Sequence, residues 1–532
     1  MGALVALLHL VTSVSGAFIA GAFGDDGVYL VLGRALADGH GYRSMHLVGT
    51  PVHVKYPPGF PFILSLLWRV GESVDAVQRL VGWLHPVVVG AGAGMCWWIG
   101  RARLQAPRAL LVLLVLLPFA FEASVEYYGI ALSEPWFILC WATVTVLWCV
   151  ITSTTPGARR SWQFALLGLS VAAAILVRTQ GVALVPALVA AIFLARTTRV
   201  ERLIAAVAAF APLAAWFAYH HALVARGPVS SLAEETSYVD WMVRGGAGAM
   251  HAFVENVQFN VLWYLRTFGA YVSAMDALGV ACAAVLFGGM IVAACVALRR
   301  EPLLALSSLG GVSIVALWPF AQDRLLLPVL PFLGLAAAAA VVPTLRRAPA
   351  VVGRAVAYVS LAACALVLMR QPEVRREGIR AAAEGRGPAF YTPVYALLTN
   401  SRFASQASRW VRENTPAADH VMIDYPSAAN LYSGHLTVPA TQAESRLLES
   451  VFVVPGRYVA ASILRDSVRW VIPGIVGGDR EGPGILRDLD TIMDRCPGVL
   501  TSGVKSERDY RYIFRVSGDL ACLSGIAAGG DR

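Results

Sequence analysis

Charged side chains are scarce in this 532-residue sequence: Asp, Glu, Lys and Arg form only 14% of it, against about 25% in a typical soluble protein. The sequence has no phosphate-binding P-loop, no Gly-x-Ser-x-Gly turn and no metal-spaced set of Cys and His residues. Cysteine is limited to eight residues, which excludes a small disulfide-stabilised scaffold. Apolar residues form 57% of the chain, which excludes a disordered protein. This composition is typical of an integral membrane protein.

Eleven apolar windows predict helices that cross a bilayer, which takes about 20 residues per helix. They cover residues 3–22, 77–100, 108–122, 130–151, 161–178, 181–196, 202–220, 276–298, 302–320, 325–344 and 351–369. The first window lacks the basic start and the cleavage site of a signal peptide, so we interpret it as a retained helix. The window at 108–122 and the tight pair joined by Arg178 to Gly181 are also compatible with re-entrant hairpins. Either hairpin changes the count by two and keeps its parity.

The two sides of these predicted helices differ in charge. The net charge is +9, and a cytoplasmic N-terminus puts the short Arg-rich loops inside, as the positive-inside rule requires. Two long loops, 21–76 and 221–275, and everything after about residue 370 then lie outside. The high Ala, Arg, Gly and Val content indicates a GC-rich bacterial genome, so we predict a multi-pass protein of the bacterial inner membrane. Because topology explains the basic excess, no nucleic-acid partner is predicted.

Residues 371–532 predict a separate extracytoplasmic α/β domain. Ser405 to Asn414 has apolar positions at helical spacing, and Thr415-Pro416 ends this helix. Three segments have the pattern of short strands, at 420–424, 468–472 and 510–516. Cys496 and Cys522 lie together in this domain on the oxidising side of the membrane, so the alternatives are a disulfide and two free thiols.

The first external loop carries the residues that most indicate chemistry. Asp25 and Asp26 directly follow the first window, at a depth where an unpaired carboxylate is costly. Residues 28–36 have the spacing of an interfacial helix, and a second amphipathic segment, 60–68, follows Pro57-Pro58. We interpret this loop as the roof of a cavity at the membrane surface.

Other short motifs recur at helix ends on the same predicted side. They are Tyr29, Lys55-Tyr56-Pro57-Pro58-Gly59, Tyr127-Tyr128, Ser133-Glu134-Pro135, Arg178-Thr179-Gln180-Gly181 and Asp323-Arg324 with Pro328 and Pro331. Together with Asp25-Asp26, their order resembles the GT-C class of membrane glycosyltransferases, which take a sugar from a polyprenyl phosphate. The lipid-A aminoarabinose transferases and the protein O-mannosyltransferases are the most similar groups. The resemblance covers residues 1–370.

The resemblance implies a GT-C-like transmembrane domain and a glycosyltransferase that uses a polyprenyl-phosphate sugar donor. The acceptor is then a glycan, lipid or protein of the cell envelope on the outer face. In the family the acidic pair, usually Asp-Glu, is catalytic. Since the second acid here is Asp26, either Asp25 or Asp26 can correspond to the base. The proposed reaction is a direct displacement with inversion at the anomeric carbon.

The same resemblance assigns roles in substrate binding. Lys55, which precedes Pro-Pro, resembles a phosphate-binding position of the family, and Arg178 and Arg324 supply further positive charge for the leaving phosphate. The remaining substrate-binding candidates are Tyr29, Glu134, Tyr127 and Tyr128.

Simpler roles are also open for these residues. Tyr127 and Tyr128 are typical of an interfacial aromatic belt, and Glu134 suits a helix N-terminus. Arg324 can be a topological anchor, and Lys55 a solvated side chain. No cofactor is predicted, because loop histidines such as His40, His46 and His53 are more often solvated than bound to a divalent metal.

Transport is the competing functional class, since a flippase of lipid-linked sugars also has many spans and charged groups facing a cavity. Transporters commonly contain internal repeats with broken helices at matching positions, and no such repeat is visible. The carboxylates also cluster at one face, and the interiors of the spans have almost no ionisable groups. These observations favour the transferase.

Overall fold

The computed structural model describes most of the chain. The described residues are 1–12, 19–21, 23–155, 158–195, 197–227, 249–273, 275–318, 322–383, 393–423, 425–439, 457–472, 484–504 and 513–527.

Every predicted apolar window overlaps a helix or a pair of helices, while residues 13–18 and 22 of the first window, and residues 196, 319 and 320 of later windows, lie outside the described residues. These helices are Gly2–Thr12, Val74–Trp98, Arg108–Ala120, Glu122–Tyr128, Glu134–Ser153, Ser161–Val177, Thr179–Leu194, Arg199–Val224, Asp276–Ala297, Pro302–Leu317, Leu330–Arg347 and Ala350–Ala383. By length and composition, six helices of the described part are able to cross a membrane. The chain is therefore a multi-pass membrane protein, and eleven spans stay a prediction.

Two regions of the sequence are compatible with re-entrant hairpins, and the helices of both regions contain a break in the structure. Arg108–Ala120 and Glu122–Tyr128 meet at an angle of 50° and would make a seventh span if they cross as one. The second break is Arg178, whose extended backbone links Ser161–Val177 to Thr179–Leu194. A Cβ at Gly181 would lie 2.6 Å from the carbonyl carbon of Ala174, so glycine allows these two helices to approach closely.

The two long loops compare differently with their predictions. In the first, the predicted helical segments 28–36 and 60–68 are present as the helices Asp25–Ala37 and Gly59–Gly71, and the indole nitrogen of Trp68 in the second helix donates a 2.9 Å hydrogen bond to the carbonyl of Leu30 in the first. The interval 221–275 is not simply a loop, because it contains the helix Ala249–Ala270. Residues 228–248 of that interval lie outside the described residues.

Helix ends that the charge pattern assigned to one side contact one another. Arg103 pairs with Glu301 at 3.0 Å, and Arg346 donates a 2.9 Å hydrogen bond to the carbonyl of Leu104. All four residues belong to loops predicted to lie inside. The grouping of the loops is therefore reflected in the packing of the helix ends.

The predicted boundary at residue 370 falls inside the helix Ala350–Ala383, so the chain leaves the apolar span without a break. The helix Pro393–Asn414, which contains the predicted helix from Ser405, follows after residues 384–392, which lie outside the described residues.

A five-stranded sheet, called the C-terminal sheet below, forms after this helix. Its strands are β1 His420–Ile423, β2 Thr437–Pro439, β3 Val468–Ile472, β4 Leu500–Val504 and β5 Ile513–Val516. Their order is β2-β1-β3-β5-β4, where β1 is parallel to β2 and β3, and β5 is antiparallel to β3 and β4. All three predicted strands are present, although residues 424 and 510–512 lie outside the described residues.

Helices pack on the C-terminal sheet and complete its core. These helices are Pro426–Ser433, Arg457–Asp466, Gly484–Arg495 and Ala521–Ala527. Cys496 and Cys522 form a disulfide, with their Cα atoms 5.8 Å apart, which decides between the two alternatives left open by the sequence. The disulfide ties the last helix to the end of Gly484–Arg495.

Candidate functional site

A hollow lies where the first external loop meets the ends of three later helices. Its empty volume, counting the part open to solvent, is about 380 Å³. The polar lining consists of Asp25, Tyr29, Tyr56, Arg178, Thr179, Gln180 and Arg324. Pro57, Trp318 and Leu325 contribute apolar surface. The fold thus brings together charged residues that are separated by up to 299 positions.

Asp25 is the carboxylate that faces this hollow. It begins the helix Asp25–Ala37 after Gly24, whose φ of +91° favours glycine. The Tyr56 hydroxyl donates a hydrogen bond to one carboxylate oxygen, and Arg324 pairs with the other. Burial opposes ionisation, but Arg324, Lys55 and the Tyr56 hydrogen bond together lower the pKa of Asp25 to about 2.

Asp26 is absent from the lining and faces the backbone instead. Its two carboxylate oxygens accept hydrogen bonds from the N–H groups of Gly21 at 2.8 Å and Phe23 at 3.1 Å, and the side chain is only 3% exposed. Burial raises the pKa of Asp26 to about 6, although these hydrogen bonds favour the charged form. Asp26 therefore fixes the turn that presents Asp25.

Arg324 is held by groups from several elements. Its Nε donates to the side-chain oxygen of Gln322 at 2.7 Å, its guanidinium lies 4.7 Å from the centre of the Phe23 ring, and Glu134 lies 3.6 Å away. Burial disfavours the charge, but the carboxylates of Asp25 and Glu134 outweigh it and raise the pKa of Arg324 well above its usual value. Arg324 is therefore a fixed cation at the hollow.

Glu134 lies behind the hollow and connects the two arginines. It begins the helix Glu134–Ser153, is fully buried, and pairs with Arg178 at 3.0 Å as well as with Arg324. The Nη1 of Arg178 also donates to the Ser133 hydroxyl at 2.9 Å, and its Nε donates to the Gln180 side chain at 2.6 Å. This network orients both guanidinium groups toward the same space.

Aromatic side chains shape the wall beside Asp25. The ring of Tyr29 lies 4.7 Å from that of Tyr56 and 5.1 Å from that of Phe60, and its hydroxyl is 3.3 Å from the Ser133 hydroxyl. The Lys55 ammonium lies 5.2 Å from the centre of the Tyr56 ring. Lys55 therefore adds positive charge next to Asp25 without being part of the lining.

Tyr127 and Tyr128 are candidates that the structure does not bring into the hollow. Both rings are buried within the protein, which does not fit the alternative of an aromatic belt facing the membrane interface. Tyr127 packs edge-on against Phe23 at 5.5 Å, and Tyr128 stacks on His9 at 5.8 Å. Their contacts are those of core aromatics one layer behind the site.

The hollow also contains residues that are not among the candidates predicted from the sequence. Tyr56 and Gln180 lie inside predicted motifs, but the candidates in those motifs are their charged neighbours, Lys55 and Arg178. Trp318 had no signal, because it simply ends an apolar run. Its backbone carbonyl accepts hydrogen bonds from the amides of Asn256 at 2.6 Å and Asn260 at 2.7 Å.

The helix Ala249–Ala270 thus contacts Trp318 and also the residues directly before Arg324. The Tyr264 hydroxyl is 3.2 Å from the carbonyl and 3.3 Å from the N–H of Gln322, and the Trp263 indole lies 3.4 Å from Asp323. Burial raises the pKa of Asp323 to about 7, although the Trp263 hydrogen bond favours its charged form. Because these four positions, 256, 260, 263 and 264, fall on one face of a helix, one element supports both Trp318 and the residues directly before Arg324.

Histidines of the first loop have structural contacts. His53 accepts a 3.0 Å hydrogen bond from the N–H of Tyr56 through Nε2, and its Nδ1 lies 3.0 Å from the Ser44 hydroxyl. The ring of His53 therefore supports the backbone next to the hollow. Within the described ranges, no group of three or more His, Cys, Asp or Glu side chains is arranged to hold a metal ion.

Comparison with known proteins identifies the fold. No protein-family model and no curated protein matches the sequence. The crystal structure of ArnT from Cupriavidus metallidurans bound to undecaprenyl phosphate aligns over 98% of this chain and 98% of its own, with a TM-score of 0.55 and 16% identity. The apo oligosaccharyltransferase of Archaeoglobus fulgidus aligns over 88% of this chain and 69% of its own, with a TM-score of 0.51 and 12% identity. The resemblance found in the motifs is confirmed, and the chain has the fold of the GT-C membrane glycosyltransferases.

Proposed function

We propose that this protein transfers a sugar from a polyprenyl-phosphate donor to an acceptor in the cell envelope. The observation that carries the proposal is the meeting of one carboxylate, Asp25, with two fixed cations, Arg178 and Arg324, in a single hollow. ArnT, which has the same fold, was crystallised with undecaprenyl phosphate. A donor of this class joins an apolar chain to a negatively charged phosphate, and a hollow at the ends of membrane helices suits both parts.

The arrangement fits an inverting displacement. The acceptor hydroxyl oxygen forms a bond to the anomeric carbon while the bond between that carbon and the phosphate oxygen breaks. The electron pair of the broken bond stays on the phosphate, where Arg178 and Arg324 stabilise the added charge. Asp25 takes the proton of the hydroxyl group as general base.

Donor binding prepares Asp25 for this role. In the free protein Arg324 pairs with Asp25, which keeps the carboxylate ionised but makes it a weak base. A bound phosphate competes for the same guanidinium, so Asp25 loses part of its counter-charge and its pKa rises toward the ordinary value. The base thus becomes stronger when the donor is present.

The remaining assignments follow from the same proposal. Residues 1–370 form the transmembrane domain, and residues 371–532 form an extracytoplasmic domain. Because the hollow lies at helix ends opposite the Arg-rich loops, the reaction takes place on the outer face of the bacterial inner membrane. Lys55 supplies further charge for the phosphate, and no cofactor is required in this scheme.

A detergent assay tests the transferase against the flippase. Purified protein is incubated with short-chain polyprenyl-phosphate sugars and an envelope extract, and release of polyprenyl phosphate is measured. A transferase turns over in detergent, whereas a flippase needs two compartments separated by a bilayer. Arg178→Ala and Arg324→Ala should lose turnover while keeping a monodisperse elution profile. Sugar transport across liposomes without any release of polyprenyl phosphate would instead support the flippase.

Mass spectrometry of envelope glycans then identifies the product. A deletion strain is compared with strains that express the wild-type protein or the Asp25→Asn/Asp26→Asn double variant. The same sugar should be missing from the deletion and from the double variant. Restoration of that sugar by the double variant would refute the assignment of the base to this pair.

A further inference from the structure

We propose that the helix Pro426–Ser433, which packs on the C-terminal sheet, is a positioning element of the site. It contacts Gly21 and Gly27 in the turn that carries Asp25, and so holds that turn in place. This inference rests on the proposed function. It gives the C-terminal part of the chain a role in the reaction, whereas the sequence of that part contains no catalytic motif.

The helix and the turn are in direct backbone contact. Gly21 has a φ of +88°, and a Cβ placed on it would lie 2.8 Å from the N, Cα and Cβ atoms of Ala428. A Cβ on Gly27 would likewise collide with the Ser427 side chain. Contacts this close require glycine at both positions of the turn, because a larger side chain would push the helix away.

A tyrosine of the same helix completes the contact. The Tyr432 hydroxyl accepts a 3.1 Å hydrogen bond from the N–H of Ala20 and donates a 3.3 Å hydrogen bond to Asp75. Burial raises the pKa of Tyr432 above its ordinary value, so the hydroxyl keeps the proton that it donates. Tyr432 therefore links the start of the turn to the helix that follows the first external loop.

Strand β2 adds a second attachment to that loop. The N–H of Thr437 donates a 2.8 Å hydrogen bond to the carbonyl of His46, and the N–H of Val48 donates a 3.2 Å hydrogen bond to the carbonyl of Thr437. The loop thereby pairs with the edge of the C-terminal sheet as a short parallel bridge. The two attachments fix the loop on both sides of Asp25.

Direct contacts connect the turn to the reacting groups, so a displacement of the turn is transmitted to them. Asp26 binds the N–H groups of Gly21 and Phe23, and the Phe23 ring lies against the Arg324 guanidinium. A shift of Gly21 and Phe23 therefore displaces both partners of the pair between Asp25 and Arg324. A misplacement of about 1 Å at a reacting group costs roughly 100-fold in rate, so the docked helix controls the rate without touching the substrate.

Two glycine variants separate docking from backbone strain. Gly21→Ala and Gly39→Ala both place alanine at a positive φ, but only Gly21 faces Ala428, since nothing lies within 4 Å of a Cβ on Gly39. We expect Gly21→Ala to lower kcat of transfer about 100-fold and Gly39→Ala to lower it much less. Equal losses in the two variants would mean that strain alone is responsible and would overturn the proposal.

The pH profile of kcat/KM distinguishes positioning from a smaller folded fraction. A loosened pair between Asp25 and Arg324 raises the pKa of Asp25, so the acid limb of the profile moves to higher pH in Gly21→Ala. A loss of folded protein lowers the amplitude and leaves the limb in place. An unmoved limb contradicts the proposal.

Tyr432→Phe provides a variant that keeps the fold even if Gly21→Ala does not. The hydrogen bond from Ala20 is the one that reaches the turn, so we expect about fivefold lower kcat, the equivalent of about 1 kcal/mol for its loss. Tyr358→Phe is the control, because it changes an exposed tyrosine of a membrane helix. Hydrogen–deuterium exchange over residues 19–30 should increase in Tyr432→Phe and stay unchanged in Tyr358→Phe.

The exchange measurement separates this inference from the proposed function. If the wild-type protein transfers no sugar but Tyr432→Phe still increases hydrogen–deuterium exchange over residues 19–30, the proposed function fails and the docking contact stands. If the wild-type protein is active and Tyr432→Phe changes neither exchange nor kcat, the positioning role is refuted.

Discussion

Arg324 pairs with Asp25 although 299 residues separate them in the sequence. The pair begins a chain of charges that continues through Glu134, which contacts both Arg324 and Arg178. Such buried charges are retained only when each is well paired, because desolvation is expensive. The site is therefore preorganised before any substrate binds, and each member of the chain of charges has a distinct expected effect when it is changed.

The two aspartates should differ sharply when each is replaced by asparagine. Asp25→Asn removes the proposed base and should lower transfer by about 10²–10⁴-fold without loss of folded protein. Asp26→Asn places an amide where a carboxylate accepts two backbone N–H groups, so we expect a lower free energy of unfolding, by about 1–3 kcal/mol. Turnover per folded molecule and thermal unfolding in detergent measure the two effects. Equal loss of turnover in both variants would contradict the separate roles.

The pH dependence of kcat/KM should identify the base. A general base works when ionised, so activity falls as the pH drops through its pKa in the free enzyme. The pKa of Asp25 is about 2 and that of Asp26 is about 6. If Asp25 is the base, it is fully ionised between pH 5 and 7, so its ionisation causes no change in kcat/KM over that range. A limb near pH 6 that disappears in Asp26→Asn would assign the base to Asp26 instead.

Glu134→Gln should weaken the whole site. The change removes the negative charge between Arg178 and Arg324 and leaves two buried cations facing each other. Breaking a buried ion pair in this way costs about 3–5 kcal/mol, and the reoriented arginines should also raise KM for the donor. Glu301→Gln is the matched control, because it breaks a single pair with Arg103 among loops predicted to lie on the opposite side. That control should lower stability and leave the donor KM unchanged.

A larger donor KM in Glu301→Gln would show that KM reports general destabilisation. The role of Glu134 in orienting the arginines would then lose its support.

The sequence predicted much of this site because charged residues are rare in apolar chains. Asp25, Arg178 and Arg324 stand out at helix ends near the hydrocarbon, where an unpaired charge is costly and therefore indicates a function. All three line the hollow. Side-chain direction was not predictable in the same way. Asp25 and Asp26 are adjacent in sequence, yet one faces the hollow and the other binds the backbone of its own turn. Only the geometry of the helix start separates them.

The supporting residues were harder to predict for a different reason. Tyr127 and Tyr128 have the composition of a membrane-interface belt, but packing against Phe23 and His9 buries them. Conversely, Asn256 and Asn260 gave no signal within an interval that was predicted to be a loop. Their function depends on the position of the Trp318 carbonyl, and that position is set by tertiary structure.

Asn260→Leu tests this support directly. The Asn260 amide is fully buried and donates to the carbonyls of Ala316 at 3.0 Å and Trp318 at 2.7 Å. Leucine of similar size leaves both carbonyls short of a donor, which costs about 1–3 kcal/mol and loosens Trp318, which lines the hollow. We therefore expect a higher donor KM together with a lower unfolding temperature, measured by transfer kinetics and by thermal unfolding in detergent.

Asn414→Leu is the control for this change. Its amide donates to a backbone carbonyl within its own helix at 2.9 Å, far along the chain from the hollow and exposed to solvent. Both the KM and the unfolding temperature should stay close to the wild-type values, because water replaces the lost partner. A KM that rises equally in both asparagine variants would mean that Asn260 does not act through its hydrogen bond to Trp318.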